Sequence, residues 1–222
     1  MTAAAKPGRR PAVYRGVELR CGMRFEDEAR AAGCHLVAGV DEVGRGALCG
    51  PVVAAAVALG EGFDTEGLDD SKRLTRRQRE RLDGRIRERA RGFAVGQAEP
   101  AEIDRVNILE ATRLAMRRAV LALPERPDLL LVDALTIPGL DVEQRPIVKG
   151  DAISVSIAAA SIVAKVTRDR LMESLHTTDP RYGFDRHKGY ATVDHLAAVA
   201  KFGYSVQHRR SFRPPTLFDT IA

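Results

Sequence analysis

The sequence predicts one α/β domain in which helices cover a mixed central sheet. Short apolar runs rich in Val, Ala and Leu come first, at 36–40 and 51–59. Strand-like and helix-like segments then alternate to about residue 203, the pattern of helices packed on a sheet. With 222 residues, the chain has enough length for one good-sized domain and is short for two.

The elements follow in order. Leu36 to Val40 and Pro51 to Leu59 are the first two strands, with Gly44, Gly46 and Gly50 between them. A helix is expected from about Thr75 to Arg91, capped by the Thr75 hydroxyl, with Leu82 and Ile86 on one face. Phe93 to Gln97 is a third strand. Pro100 sits in the first turn of a helix reaching about Leu123, with Ile103, Leu109, Leu114 and Leu121 facing inward. Leu129 to Val132 has a buried-strand pattern ending at Asp133, and Pro146 to Lys149 forms a short strand closed by Gly150-Asp151. Ser154 to about His176 is a long helix with an Ala-rich first half. Thr192 caps a further helix to Phe202, ended by Gly203. The Ala/Pro/Gly/Arg mixture of residues 1–20 and the prolines of 213–222 read as poorly ordered tails around a folded domain at 21–212.

Composition narrows the function classes. The apolar content is 45% but the aromatic content only 5%, so the core is expected to be built from small side chains. Three cysteines with no CxxC spacing argue against a disulfide framework or a cysteine zinc site and fit a reducing compartment. The longest apolar run, Val52 to Leu59, is too short for a bilayer, and residues 1–10 lack a signal-peptide stretch, so a soluble cytoplasmic monomer is expected. A net charge of +5 suits a polyanion without establishing one.

Four acids stand at or near strand ends: Asp41 and Glu42 after the first strand, Asp133 after Leu129–Val132, and Asp151 before the long helix. Taken singly, each also fits a strand-end cap or a surface charge, because Asp at a turn is routine. Brought together by neighbouring strands, they suit hard divalent cations, which prefer oxygen ligands and leave room for phosphate oxygens. Two such ions activate water and stabilise the leaving oxygen of a phosphodiester. Adjacent residues on a regular strand face opposite ways, so Asp41 and Glu42 serve one site only if the strand ends or bulges there. Just beyond, Gly44 and Gly46 allow positive φ and close backbone approach to a ligand, and Arg45 suits phosphate. A plain hairpin turn with an exposed arginine fits this stretch equally well.

Val40-Asp-Glu-Val-Gly-Arg-Gly46, followed by Gly50-Pro-Val-Val53, resembles the signature of the bacterial ribonuclease HII family. The resemblance continues in order through Asp70-Ser-Lys72, Asn107-Ile-Leu-Glu-Ala-Thr112, Val132-Asp133, Lys149-Gly-Asp151, Ser156 to Lys165, Arg168-Asp-Arg170 and His187-Lys-Gly-Tyr190, spanning about Val37 to Phe212. It implies a ribonuclease-H-like fold, with a mixed central sheet flanked by helices and a small C-terminal helical segment carrying Tyr190. It implies an endonuclease that hydrolyses the RNA strand of RNA–DNA hybrids and cuts 5′ to single ribonucleotides in duplex DNA, leaving 3′-hydroxyl and 5′-phosphate ends. Asp41, Glu42, Asp133 and Asp151 match the family's metal-binding acids, which hold two divalent ions, Mg²⁺ or Mn²⁺. Gly44, Arg45 and Gly46 match the turn that recognises the ribose 2′-hydroxyl, the handle that separates RNA from DNA at one site. Tyr190 matches the tyrosine packed on the sugar at the RNA–DNA junction, and Ser71 and Lys72 resemble phosphate contacts.

Other features read more plainly. The arginines between Lys72 and Arg91 form a solvated face with local ion pairs, with a track for the duplex backbone as the alternative. Lys165 and Arg168 pair with Asp169 or Glu173 or face the substrate, His187 lies near phosphate or is structural, and His208-Arg-Arg210 is a surface segment, with a phosphate contact as the alternative. Thr216-Leu-Phe218 offers an apolar pair that suits docking on a sliding clamp, against chance composition. Two other functions compete. Gly44-x-Gly46-x-x-x-Gly50 superficially resembles a dinucleotide-binding fingerprint, with Asp69 or Asp70 for the ribose. A non-catalytic hybrid-binding protein is permitted by the charge, but it leaves the four acids unexplained. A relative of the other sequence class of type-2 ribonuclease H is expected to lack the glycine turn and its tyrosine.

Overall fold

The computed structural model describes residues 12–14 and 17–212. Inside the stretch read as an N-terminal tail, β1 (Ala12–Tyr14) and β2 (Val17–Leu19) form an antiparallel ribbon. The remainder of that tail and the whole of 213–222, with Thr216-Leu-Phe218, lie outside the described residues.

After α1 (Arg24–Ala31), the chain builds an antiparallel meander of β3 (Val37–Val43), β4 (Val52–Ala58) and, beyond α2 (Arg76–Arg89), β5 (Gly92–Ala98). Helices α3 (Pro100–Val106) and α4 (Ile108–Leu121) then cross over to β6 (Leu129–Asp133), which runs parallel to β3. The edge strand β7 (Glu143–Ile147) pairs parallel with β6, giving the order β5-β4-β3-β6-β7. A short 3₁₀ turn (Gly150–Ala152) leads into α5 (Val155–Thr178), and a C-terminal segment follows with a 3₁₀ turn (Pro180–Tyr182), α6 (Phe184–His187) and α7 (Val193–Phe202). This is the expected mixed sheet flanked by helices with a small helical C-terminal segment. No described helix is long and apolar enough to cross a membrane.

Small side chains set the layer spacing. On one face Ala111, Ala115, Met116 and Ala119 of α4 pack on Ala38, Val40, Ala54 and Ala56; on the other, Ala159, Ala160 and Val163 of α5 and Leu82 and Ile86 of α2 pack on Ala55 and Val57. Where α5 crosses β3 the approach is so close that a Cβ on Gly39 would fall 2.1 Å from the Ser156 carbonyl carbon. Only glycine fits, and the first turns of α5 are thereby seated directly beside the end of β3.

Three local expectations are corrected. The helix predicted from Pro100 to Leu123 is two helices, broken at Asn107, whose φ of 72° is tolerated by an amide that accepts from the Leu109 and Glu110 N–H groups. Leu121 is 66% exposed, and Leu109 and Leu114 are only half-buried, because a helix lying this close to a sheet presents its alanines and leaves the leucines at its margin. The strand predicted at Pro146–Lys149 is shifted back to Glu143–Ile147: an edge strand needs no apolar run and tolerates Pro146, while Val148 is exposed and Lys149 turns left-handed with φ 58°. The Thr75 cap is present as a capping box with Gln78, and Ser154, Thr192 and Gly203 stand at the predicted helix ends.

Candidate active site

The central strand has neighbours of unequal length. β3 pairs with β6 only as far as Val40–Val132, but with β4 as far as Val43–Val53. From Asp41 onward β3 is therefore paired on one side, and a notch opens beside the end of β6. There is no bulge or strand end at Asp41-Glu42, contrary to the sequence expectation; the notch does that work instead. Side chains alternate as usual, so Asp41 shares the α5 face with Gly39, and Glu42 shares the α4 face with Val40. Asp133 ends β6 on the same face as Leu131, and the Gly150 N–H donates to its Oδ1 at 2.8 Å. Asp151 follows in the turn that starts α5. Asp41, Asp133 and Asp151 thus gather on the α5 side, and Glu42 meets them around the notch.

The four acids repel one another. Burial, then Glu42, Asp133 and Asp151, pushes the Asp41 carboxyl well above its ordinary value. Burial likewise raises Glu42 against the opposing pull of Arg45, and burial with Asp151 next raises Asp133 to about 6. The positive charges nearby compensate in part. Arg45 lies 3.3 Å from Glu42, and the exposed Lys72 ammonium lies 3.2 Å from Asp151. Burial acts to lower Lys72, but Asp151 and Asp70 raise it overall. The Ser161 hydroxyl stands between Asp41 and the buried Ser71 hydroxyl, 2.9 Å from the latter. Among the described residues no three His, Cys, Asp or Glu side chains form a ready-made cation site. One observation still fits a divalent cation: Glu42 Oε2 is buried with no hydrogen-bond partner. Hard oxygen donors, one of them orphaned and all raised or crowded by like charge, are what such an ion neutralises.

Next to the acids lies the glycine turn. Gly44 has φ +92°, and a Cβ there would fall 2.1 Å from Arg168 Nε. The segment after it is stitched to the C-terminal part of the chain by main-chain bonds: Leu48 N–H to Gly189 O, Gly50 N–H to Gln207 O and Arg209 N–H to Leu48 O, each 2.8 Å. Tyr190, 36% exposed, is thereby held beside the turn, with the Arg168 guanidinium carbon 5.5 Å from its ring centroid.

Residues 38–214 match the family model described as Ribonuclease HII. The chain belongs to the ribonuclease HII family. It is a ribonuclease H endonuclease, of a family that cleaves the RNA of RNA–DNA hybrids. The ribonuclease HII of Desulfitobacterium hafniense (strain DSM 10664 / DCB-2) is 54% identical over 192 residues, covering 86% of this chain and 74% of that one. The solved ribonuclease H2 of Pyrococcus horikoshii OT3 aligns with TM-score 0.66 and 29% identity over 80% of this chain and 94% of its own. A chain of the PCNA:RNase HII complex of Archaeoglobus fulgidus aligns with TM-score 0.63 and 28% identity over 81% of this chain and 96% of that one. A dinucleotide fingerprint is excluded by ribonuclease HII topology: antiparallel β4 follows the glycines, where that fingerprint requires a helix.

The structure also places the residues whose roles were open in the sequence. Of the α2 arginines, Arg76 pairs with Glu80, Arg85 with Asp64 and Arg87 with Asp83, as a solvated ion-paired face requires. Lys165 pairs with Asp169, but Arg168 does not join them; it is fully buried. His187, His208 and Arg209 are also buried, which overturns the surface reading for His208 and Arg209, whereas Arg210 is exposed as expected. These inward basic residues are what sequence reasoning missed. For Arg168 a signal was available, since Ser161, Ala164, Arg168 and Met172 fall on one buried stripe at helical spacing.

Proposed function

We propose that the chain hydrolyses the phosphodiester on the 5′ side of a ribonucleotide, within RNA–DNA hybrids and at single ribonucleotides embedded in duplex DNA, leaving a 3′-hydroxyl and a 5′-phosphate. The observation that carries this reading is the acid notch lying beside a glycine turn that is itself stitched to the Tyr190 loop. Asp41 and Asp133 would hold one divalent ion, and Glu42 and Asp151 would complete the site of a second, with Mg²⁺ or Mn²⁺ as the ions. Ions held there would supply a lowered pKa for bound water and stabilisation of charge on the phosphodiester oxygens.

The chain's own groups bind and orient. Main-chain groups of Gly44–Gly46 meet the 2′-hydroxyl, with no side chain in the way at either glycine. Tyr190 places a ring under the sugar, a shape test that one hydrogen bond does not supply. Lys72 is exposed and free to swing from Asp151 to a substrate phosphate; Ser71 is buried and supports the Asp41 face through Ser161.

The test is a labelled DNA duplex with one embedded ribonucleotide, incubated with Mg²⁺, with Mn²⁺ and with excess EDTA. Cutting 5′ to the ribose that disappears with EDTA is expected. Cutting of long hybrids alone would remove the roles given to the glycine turn and Tyr190. A second expectation concerns Thr216-Leu-Phe218, whose apolar pair suits a sliding clamp. Truncation after Pro214 is expected to abolish pulldown of the clamp with cutting retained; no capture by the full-length chain would end that idea.

A further inference from the structure

Two guanidinium groups lie behind the recognition turn, and none of the roles given above uses either. Arg168 and Arg209 are 0% and 1% exposed, and every hydrogen bond they make goes to a main-chain carbonyl. Burying a charge this way is costly, so the position of those carbonyls must matter enough to keep it.

The carbonyls they hold are not scattered. Arg209 donates to Gly44 O at 2.7 Å, Arg45 O at 2.8 Å and Gly50 O at 2.9 Å, tying together the two ends of the glycine loop. Arg168 donates to Cys49 O at 3.0 Å and Pro51 O at 3.0 Å on that same loop, and to Lys188 O at 2.9 Å, two residues before Tyr190. Its guanidinium also underlies the Tyr190 ring, and its Nε occupies the space a Cβ on Gly44 would need. One planar fork therefore touches the turn, the far end of the loop and the tyrosine at once. A lysine offers a single point charge and cannot reproduce that fork.

We propose that Arg168 and Arg209 are positioning residues, Arg209 holding the shape of the Gly44–Gly50 loop and Arg168 fixing its separation from the Tyr190 ring, and that together they set the preference for a single ribonucleotide over continuous RNA. The inference rests on the proposed recognition roles of the turn and Tyr190. A continuous RNA strand offers a 2′-hydroxyl in every register, so a loosened pair still finds one. A single ribose offers one register only, and both contacts must be met at the same nucleotide.

The test compares wild type and Arg168→Lys on two substrates, a continuous hybrid and a duplex with one ribonucleotide, with folding checked by thermal melting. The variant is expected to lose about 100-fold in kcat/KM on the single ribonucleotide, the scale of an ångström-sized misplacement. On the hybrid it should lose about tenfold or less, the scale of one hydrogen bond. Combined with Tyr190→Ala, its loss on the single ribonucleotide should not multiply, because both act through one contact. Equal losses on both substrates, or losses that multiply, would overturn the proposal. Arg209→Lys carries the same comparison if Arg168→Lys does not fold. A wild type that cuts hybrids but not the single ribonucleotide would instead overturn the recognition roles on which the proposal stands, a result separable from any effect of the arginines.

Discussion

Asp41→Asn is expected to abolish cutting while making the metal-free protein more stable. The carboxylate is 4% exposed and faces three other acids across the notch. Its raised pKa means that ionised Asp41 costs stability at neutral pH, because burial and like charge both disfavour it. An asparagine removes the charge and keeps an oxygen able to accept the Glu42 N–H, which lies 2.7 Å from Asp41 Oδ1, so the fold is preserved. In EDTA the variant should melt higher than wild type, by about 1 kcal/mol of stability or more, as is common when a functional strain is relieved. Divalent cations should then raise the melting temperature of wild type far more than that of the variant, since a ligand stabilises only the state that binds it. On an embedded ribonucleotide the variant should be slower by about a thousandfold or more, the several kcal/mol that metal-held charge stabilisation supplies. A variant that melts lower in EDTA, or that responds to Mg²⁺ as wild type does, would remove Asp41 from the metal site.

That opposition between stability and activity also marks what was legible in the sequence. The apolar runs at Leu36–Val40, Pro51–Leu59 and Leu129–Val132 are buried on both faces and so announce themselves without alternation. The acids were legible because a charge at the end of such a run is costly, and the structure brings those four together. β7 was misplaced because an edge strand such as Glu143-Gln-Arg is polar and carries no apolar signal. The inward face of α4 is hidden from a reading by side-chain size, because contact with the sheet favours Ala111, Ala115 and Ala119 over Leu121. Arg168, Arg209 and the buried histidines were the hardest. The arginines' partners are carbonyls of loops distant in sequence, such as Arg209 with Gly44, and nothing in local composition reports such a pairing; the histidines bond within their own C-terminal segment, but their burial depends on how that segment folds on itself.

Those histidines give the second large effect, a loss of stability as pH falls from about 6.5 toward about 4. Their hydrogen bonds fix the neutral form of each ring. The Ser205 N–H donates to His208 Nδ1 at 3.0 Å, so His208 carries its proton on Nε2 and donates it to His195 Nε2 at 3.1 Å. His195 then carries its own proton on Nδ1 and donates to the Tyr190 carbonyl at 2.9 Å. A further proton on His195 would point at the His208 Nε2–H, and one on His208 would meet the Ser205 N–H, with only the Ser205 hydroxyl oxygen to accept it. Burial is the leading cause that pulls both down to about 4, and for His208 the neighbouring His195 comes next. Unfolded imidazoles protonate near 6.5, so between 6.5 and 4 the unfolded chain binds more protons, and stability present above 6.5 is lost as pH falls. The loss amounts to about 3 kcal/mol for each ring. The raised acids work the other way: Asp133, raised to about 6, and Asp41 and Glu42, raised as well, take up protons in the folded state first and add stability on acidification. His208→Asn separates the two, because it keeps an acceptor for Ser205 and removes one titration. Urea midpoints followed from about pH 7 to about pH 5 should fall less steeply in the variant than in wild type, and parallel profiles would exclude the histidines.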